Sequence, residues 1–408
     1  MTTAQTVTPD GRIEFDLDRA IDRLMRFLSV EGITGEEAKI GKEVTDALVK
    51  AGVRRRGIKL DDANKRIPLP TQTGNLIVKL AATRPGKPRM LMTHLDTVPL
   101  CAGAKPARKG NKIVAAGETA LGADNRTGVA CLVTVAATII EQKIPHPGLT
   151  LLFTVREESG LWGARYLDPT DLGRPDEAFN VDGGSAAELT IGAVGAERWE
   201  AEISGRASHA GVHPERGVSA SLVAALALAD VHRNGWFGKI RKNGHEGTSN
   251  VGSIGDAQGR SAGMATNVVT DFALVRGEAR SHDPQFVKSI TAAYREAFDE
   301  AAERVRDDRG RGAQIRFKTR ADYYPFRLEP TEPVVRHAMA AARAIGLHPT
   351  LKVSNGGLDA NWMVRHGIPT VTFGAGQNNP HTIGEFVDLR EFEAACKLAL
   401  ALATQPEM

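Results

Sequence analysis

MLMTHLDTVP, residues 90–99, opens as an apolar run and closes on two polar side chains, His94 and Asp96, two positions apart. A short apolar run bounded by turn residues has the form of a buried strand. Side chains two apart on a strand face the same way, so this strand delivers an imidazole and a carboxylate to one face. One can ligate a metal and the other can steady it, although a lone His-x-Asp equally has a structural explanation. Working outward, strands are predicted over 75–80, 89–93, 150–155 and 178–181, with helical spacing over 15–48 and 126–141. Strands alternating with helices predict an α/β domain around a central mixed, largely parallel sheet.

From Arg198 the rhythm changes. A strand over 199–204, a helix over 220–234, strands over 248–254 and 270–281, a helix over 284–305 and a strand over 313–323 give the order βαββαβ. That order is the ferredoxin-like split unit. A helix over 334–345, a strand over 370–373 and a helix over 389–404 then restore the first rhythm. The expected organisation is one α/β domain, residues 1–196 and 327–408, interrupted by an inserted domain at 197–326. The cluster RDDRGRG, 306–312, is expected to be a solvated loop.

Four more segments place polar residues where the strand of 90–99 does. GETALGADNRTG (117–128) sets Asp124 in a glycine-bounded loop before a helix, where capping is the competing explanation. LLFTVREESG (151–160) runs a strand into adjacent Glu157 and Glu158, which would repel each other in a dry site unless a cation intervened; a solvated acidic loop is the alternative. FNVDGGS (179–185) ends a strand on Asp182, and IPTVTFGAGQNNPHTIGE (368–385) follows one with His381. Each has an ordinary turn or surface explanation alone. Together, His94, Asp124, Glu158, Asp182 and His381 all sit past strand ends or at a helix start, where open α/β sheets gather their ligands. Two imidazoles with several carboxylates suit zinc, cobalt or manganese better than magnesium or calcium, and zinc is favoured. A bridging carboxylate lets five ligands hold two ions sharing one water.

Bulk properties narrow the function. The 408 residues, 42% hydrophobic and 25% charged, have the composition of a globular protein long enough for two cores. A net charge of +3 without a basic block interleaved with aromatics argues against nucleic acid as a partner. The scattered Cys101, Cys131 and Cys396 suggest neither a disulfide framework nor a cysteine zinc site, which fits a cytoplasmic location. The polar start of the chain and the lack of any stretch of about 18 apolar residues disfavour secretion and membrane spanning.

HLDTVP, TALGADNRTG, REESG, NVDGG and the distal GIPTV…PHTIGE resemble, in order and spacing, the co-catalytic zinc exopeptidase family that includes peptidase T, carboxypeptidase G2 and aminoacylase. TALGADNRTG and the late GIPTV look most like its peptidase T-like, tripeptide aminopeptidase-like branch. The resemblance implies His94 and Asp182 on one zinc, Glu158 and His381 on the other, and Asp124 bridging both. It makes Glu157 the general base and Asp96 the residue orienting His94. In GRASHAGVHPERG (205–217) it implies that His209 stabilises the oxyanion in the active site of the opposite subunit, hence a homodimer formed through an inserted lid domain. By spacing alone His209 and His213 could form a second metal site, which Gly211 and Pro214 argue against. TNVVTD and RGEARSHD resemble substrate-holding segments and suggest Asn267 and Arg280, with a salt bridge as the alternative for the arginine. In SNGGLDANWM, Gly356 and Gly357 suggest close backbone approach to substrate. Leu358 departs from the small hydroxyl residue the family pattern has before Asp359.

The function expected is hydrolysis of short peptides, first as an aminopeptidase acting on tripeptides. Carboxypeptidase and N-acyl amino acid deacylase activities are the alternatives, and a non-catalytic peptide-binding relative is the remote one.

Overall fold

The computed structural model describes residues 14–256, 258, 262, 263 and 265–406; the predicted start and the last two residues of the outer domain lie outside the described residues. The chain divides into two compact units. One takes in the chain up to Gly192, Arg327–Ser354 and everything from Leu358; the other is Ala193–Phe326 with Asn355–Gly357.

The first unit is an α/β fold around a nine-stranded mixed sheet. Its middle strands, Leu149–Thr154, Arg89–His94, Glu177–Val181 and Thr370–Phe373, lie side by side and run parallel. Every residue in these four is buried, as befits parallel strands covered on both faces. Antiparallel strands flank them, Leu76–Leu80 on one side and Glu188–Ala193 on the other. Because the middle four are parallel, the segments leaving their carboxyl ends emerge along one edge, and these segments carry the polar residues singled out above.

Helix Ala123–Glu141 packs on this sheet and against helices Leu17–Leu28 and Leu389–Thr404. It is apolar nearly all round and almost wholly buried, as a helix at the centre of a large core should be. A Cβ on Gly128 would lie 2.2 Å from Thr93 Oγ1 and 2.6 Å from the Val181 carbonyl, so glycine lets the first turn press against two strand ends. Four short strands, Pro106–Lys109, Lys112–Ala115, Gln377–Asn378 and Phe386–Asp388, form a separate antiparallel sheet. At two to four residues each, they are too short to show periodicity.

The second unit is a five-stranded antiparallel sheet in the order Gly238–Lys242, His245–Gly255, Phe272–Ser281, Gly195–Ser204, Gln314–Tyr323. Helices Ala220–Arg233 and Pro284–Arg304 pack on it and on each other. Without Gly238–Lys242 this is the ferredoxin-like order predicted. The added edge strand, GKIRK, has a single apolar residue, Ile240, and so leaves no alternating signal. Trp199 anchors the core, its ring centroid 4.4 Å from that of Tyr294 and 6.1 Å from that of Phe298. The three cysteines are buried and free. Among the described residues no helix is long and apolar enough to cross a membrane.

Candidate metal centre

His94, the last residue of its strand, is buried in the first unit. Its Nδ1 lies 3.0 Å from the backbone carbonyl of Asp96 and 3.5 Å from that residue's Oδ1. Its Nε2 faces Asp124 Oδ1 at 3.0 Å and Asp182 Oδ1 at 3.9 Å. Asp124 turns its other oxygen, Oδ2, to His381 Nε2 at 3.5 Å, and the same nitrogen lies 2.9 Å from Glu158 Oε2. Two overlapping sets result, His94 with Asp124 and Asp182, and Asp124 with Glu158 and His381. Within each, the possible ligand atoms lie within 4.8 Å of one another. Asp124 belongs to both. A third such set joins His94 with Glu157 and Glu158.

Local structure explains how these side chains are presented. Gly122, at φ 82°, turns the chain into the helix, and Asp124 and Asn125 keep non-helical angles (φ −82°, ψ 100° and φ −127°, ψ 43°). Capping falls to Asn125, whose Oδ1 accepts from Gly128 N–H at 3.0 Å while its amide donates to the Val181 carbonyl at 2.7 Å. The Asp124 carboxylate is left to face the imidazoles. The Glu157–Glu158 turn is held from beneath: Asp96 Oδ1 and Oδ2 accept from the Glu157 and Glu158 N–H groups at 3.0 and 3.1 Å. Glu37, fully buried, accepts from the preceding Arg156 N–H at 3.1 Å. The Asp96 carboxylate therefore makes its hydrogen bonds to this turn, and its carbonyl is what lies nearest the His94 ring.

The electrostatics are those of a site short of positive charge. Removal from water, with neighbouring carboxylates adding to it, pushes Glu157 well above the usual carboxylate range. Burial and Asp124 raise Glu158 to about 7, burial and Asp124 raise Asp182 to about 6, and burial with Asp96 and Asp182 nearby raises Asp359 to about 7. Burial opposes ionisation of Asp124, but its bonds to His381 and His94 outweigh that and hold it below the ordinary range. Those bonds to Asp124 and Glu158 raise His381 to about 10. For His94, burial resists protonation, and the contacts with Asp124 and Asp96 overcome it and push the ring well up. Asp359 pairs one oxygen with the Thr154 hydroxyl and leaves Oδ1 buried without a partner. Carboxylates from Asp96, Asp124, Glu157, Glu158, Asp182 and Asp359 against two imidazoles make a donor set that divalent cations would neutralise, and the mixed nitrogen and oxygen donors fit zinc-like ions.

The remaining predicted residues belong mostly to the second unit. His209 is exposed and pairs by backbone with Val268, and Ala210 N–H donates to the Asn267 carbonyl at 2.9 Å, so His209 and Asn267 come together. His209 Nδ1 accepts from the Gly211 and Val212 N–H groups, both at 3.2 Å, which puts the proton of the neutral ring on Nε2. His213 instead meets Glu215 at 3.2 Å, and among the described residues no metal-competent set joins the two histidines. The Arg280 fork is engaged by Glu278, Nε at 2.9 Å and Nη2 at 3.1 Å. A Cβ on Gly357 would lie 2.4 Å from Tyr323 Cζ, so an aromatic ring already fills the space this glycine leaves beside Gly356. In the first unit, the Leu358 N–H donates to Asn361 Oδ1 at 2.9 Å at the start of helix Asp359–Arg365.

The loop over 306–312 is not simply solvated. Asp307, its side chain wholly buried, accepts from the Arg309 and Arg311 N–H groups at 3.0 and 2.9 Å and from Arg311 Nε at 2.7 Å. It also faces Arg206 Nε at 3.7 Å, and the Asp308 N–H donates to the Glu215 carbonyl at 2.7 Å. The loop thus braces both arms of the segment carrying His209. Sequence reasoning also passed over Gln377, whose Nε2 donates to Asp182 Oδ1 at 2.9 Å, and Glu385, Glu37 and Asp359. Gln377, Glu385 and Asp359 lie inside motifs already singled out, and Glu37 does not.

The model of peptidase family M20/M25/M40 matches residues 90–405. Uncharacterized protein YqjE of Bacillus subtilis is 30% identical over 386 residues, 94% of this chain and 97% of that protein. Peptidase T of Clostridium botulinum is 28% identical over 299 residues, 72% of this chain and 68% of its own length. Among solved structures, aminopeptidase PepT from Bacillus cereus is 32% identical with a TM-score of 0.80, covering 96% of this chain and 98% of its own. A tripeptidase from Staphylococcus aureus is 28% identical with a TM-score of 0.84 and the same coverage. By these matches and by the carboxylate and imidazole cluster they accompany, the chain belongs to peptidase family M20/M25/M40 as a peptidase T-like member, a peptide hydrolase.

Proposed function

We propose that this chain is a di-zinc aminopeptidase that releases the N-terminal residue of short peptides, tripeptides first among them. The observation that carries the reading is Asp124, placed with one oxygen toward His94 and the other toward His381, the arrangement a bridging carboxylate requires. His94 and Asp182 would hold one ion and Glu158 and His381 the other. Bound there, divalent ions supply Lewis-acid polarisation of the scissile carbonyl and a water acidified enough to attack it.

The chain's own groups do the rest. Glu157, whose buried setting raises its affinity for a proton, would act in its ionised form once cations balance the site, taking a proton from the attacking water and returning it to the leaving amine. Asp96 fixes the backbone that carries Glu157 and Glu158 and, through its carbonyl, the ring of His94. His209, whose Nδ1 accepts from two backbone N–H groups, presents Nε2–H as its donor, which suits it to stabilise a developing oxyanion in the partner subunit's site. The inserted unit serves as lid and dimerisation domain, and Asn267 and Arg280 contact substrate.

The test is a panel of free tripeptides, N-blocked tripeptides and N-acyl amino acids, with and without chelator. Chelator-sensitive cleavage confined to unblocked peptides is expected. Cleavage of blocked or acylated compounds instead would make the chain a carboxypeptidase or deacylase, and no cleavage from any metal-loaded sample would reduce it to a binding protein.

A further inference from the structure

One hairpin reaches Asp124, Glu158 and Asp182. Strands Gln377–Asn378 and Phe386–Asp388 pair antiparallel, and the loop between them carries His381, with Asn379 and His381 in left-handed conformations at φ 51° and 63°. From its first strand Gln377 reaches Asp182, and His381 itself faces Glu158 and Asp124. At the end of the loop stands Glu385, only 2% exposed. Its Oε2 accepts from the Leu121 and Gly122 N–H groups, both at 2.7 Å, and its Oε1 accepts from the Asp124 N–H at 3.0 Å.

From this geometry we infer that Glu385 is a positioning residue for the metal centre, an inference that rests on the metal reading proposed above. Asp124 is shared between the two candidate sets, so its placement fixes both at once. The backbone that presents it departs from helical angles and cannot satisfy its N–H groups by the helix ladder. Glu385 supplies the missing acceptor for three of them with both of its oxygens, and it does so from the hairpin that also presents His381. A single buried carboxylate thereby sets the separation between the shared ligand and the ligand facing it.

Glu385→Gln keeps the shape but turns an N–H₂ group toward at least one backbone N–H. Glu385→Asp keeps the charge but is one methylene too short to reach all three. Both variants and the unsubstituted protein would be stripped of metal, checked for folding by circular dichroism, and titrated with Zn2+ by calorimetry. Each would then be loaded with Co2+ and its visible absorption recorded. Expected are about 10- to 100-fold weaker zinc binding in both variants and a changed cobalt spectrum, reporting altered ligand placement that a purely structural role would not produce. Zinc affinity and cobalt spectrum equal to the parent in a folded Glu385→Gln protein would overturn the inference alone. So would parent-like binding in Glu385→Asp, which would leave charge rather than reach as the cause. Should Glu385→Gln fail to fold, the Glu385→Asp measurements decide. No zinc uptake by the unsubstituted protein would overturn the metal centre and this inference together.

Discussion

Around His94 and His381 the charges do not balance: carboxylates crowd two imidazoles, several are pushed toward neutrality, and one Asp359 oxygen has no partner. Around His209 they do. The Asp307 carboxylate is matched by Arg206 and Arg311, the backbone N–H groups beside it are satisfied, and even the Nδ1 of His209 caps two amides. Both regions are loops rich in charge, so composition alone does not separate them. What separates them is whether folding has paired the charges. Buried polar groups are ordinarily satisfied, so an imbalance surviving in the folded chain marks where a ligand completes the structure. A satisfied network marks a support.

The comparison is broken most directly at Glu157. If Glu157 is a base within the excess of carboxylates rather than a ligand, Glu157→Ala keeps the full metal content while hydrolysis falls about 10²- to 10⁴-fold. Metal loss in that variant, read by elemental analysis, would move Glu157 among the ligands, and retained turnover would remove it from the mechanism. On the balanced side, His209→Ala should lower kcat about 10²- to 10³-fold with metal content unchanged, as removal of one oxyanion donor does. An unaltered kcat would end that role for His209.

A smaller effect tests the imbalance itself. Glu158 and Asp182 have folded-state pKa values of about 7 and about 6, above their ordinary values, so folding favours their protonated forms. Their contribution to stability is fully present below the ordinary carboxylate range and is lost as pH rises through the folded values. Chelator-treated protein should therefore melt several degrees lower at pH 8 than at pH 5.5. Zinc-loaded protein should reverse the trend, because ligation needs the deprotonated groups that higher pH provides. Parallel melting curves for the two forms would mean that these carboxylates do not wait for a cation.

The parts of the molecule legible in the sequence follow the same division. The candidate ligands could be found because each follows an apolar strand or starts a helix, and the parallel sheet gathers those ends without any knowledge of contacts. The βαββαβ unit was legible because its strands are long enough to alternate. Glu385 and Gln377, though inside the run 368–385, were not, since their partners are backbone groups or side chains more than a hundred residues away, and Glu37, bonded nearby to Gly35, gives no local sign of its tie to Arg156. At Gly357 the sequence shows only that space is needed; Tyr323, distant in sequence, lies where a Cβ would stand. Asp307 was lost in an arginine and glycine run whose composition reads as solvent-facing.

Asp307 gives the smallest and most discriminating prediction. Replacing it with alanine leaves two backbone N–H groups without their acceptor and two half-exposed guanidinium groups without their partner, so the melting temperature should fall slightly. Because the segment from Arg206 to Val218 is braced by this loop, Asp307→Ala should also lower kcat modestly while leaving metal content unchanged. The decisive measurement is a double-mutant cycle with His209→Ala. If Asp307 acts through His209, the double variant turns over no more slowly than His209→Ala alone. Additive losses would mean that the loop over 306–312 affects catalysis by another route, and then balanced charge could not be taken as the mark of a support.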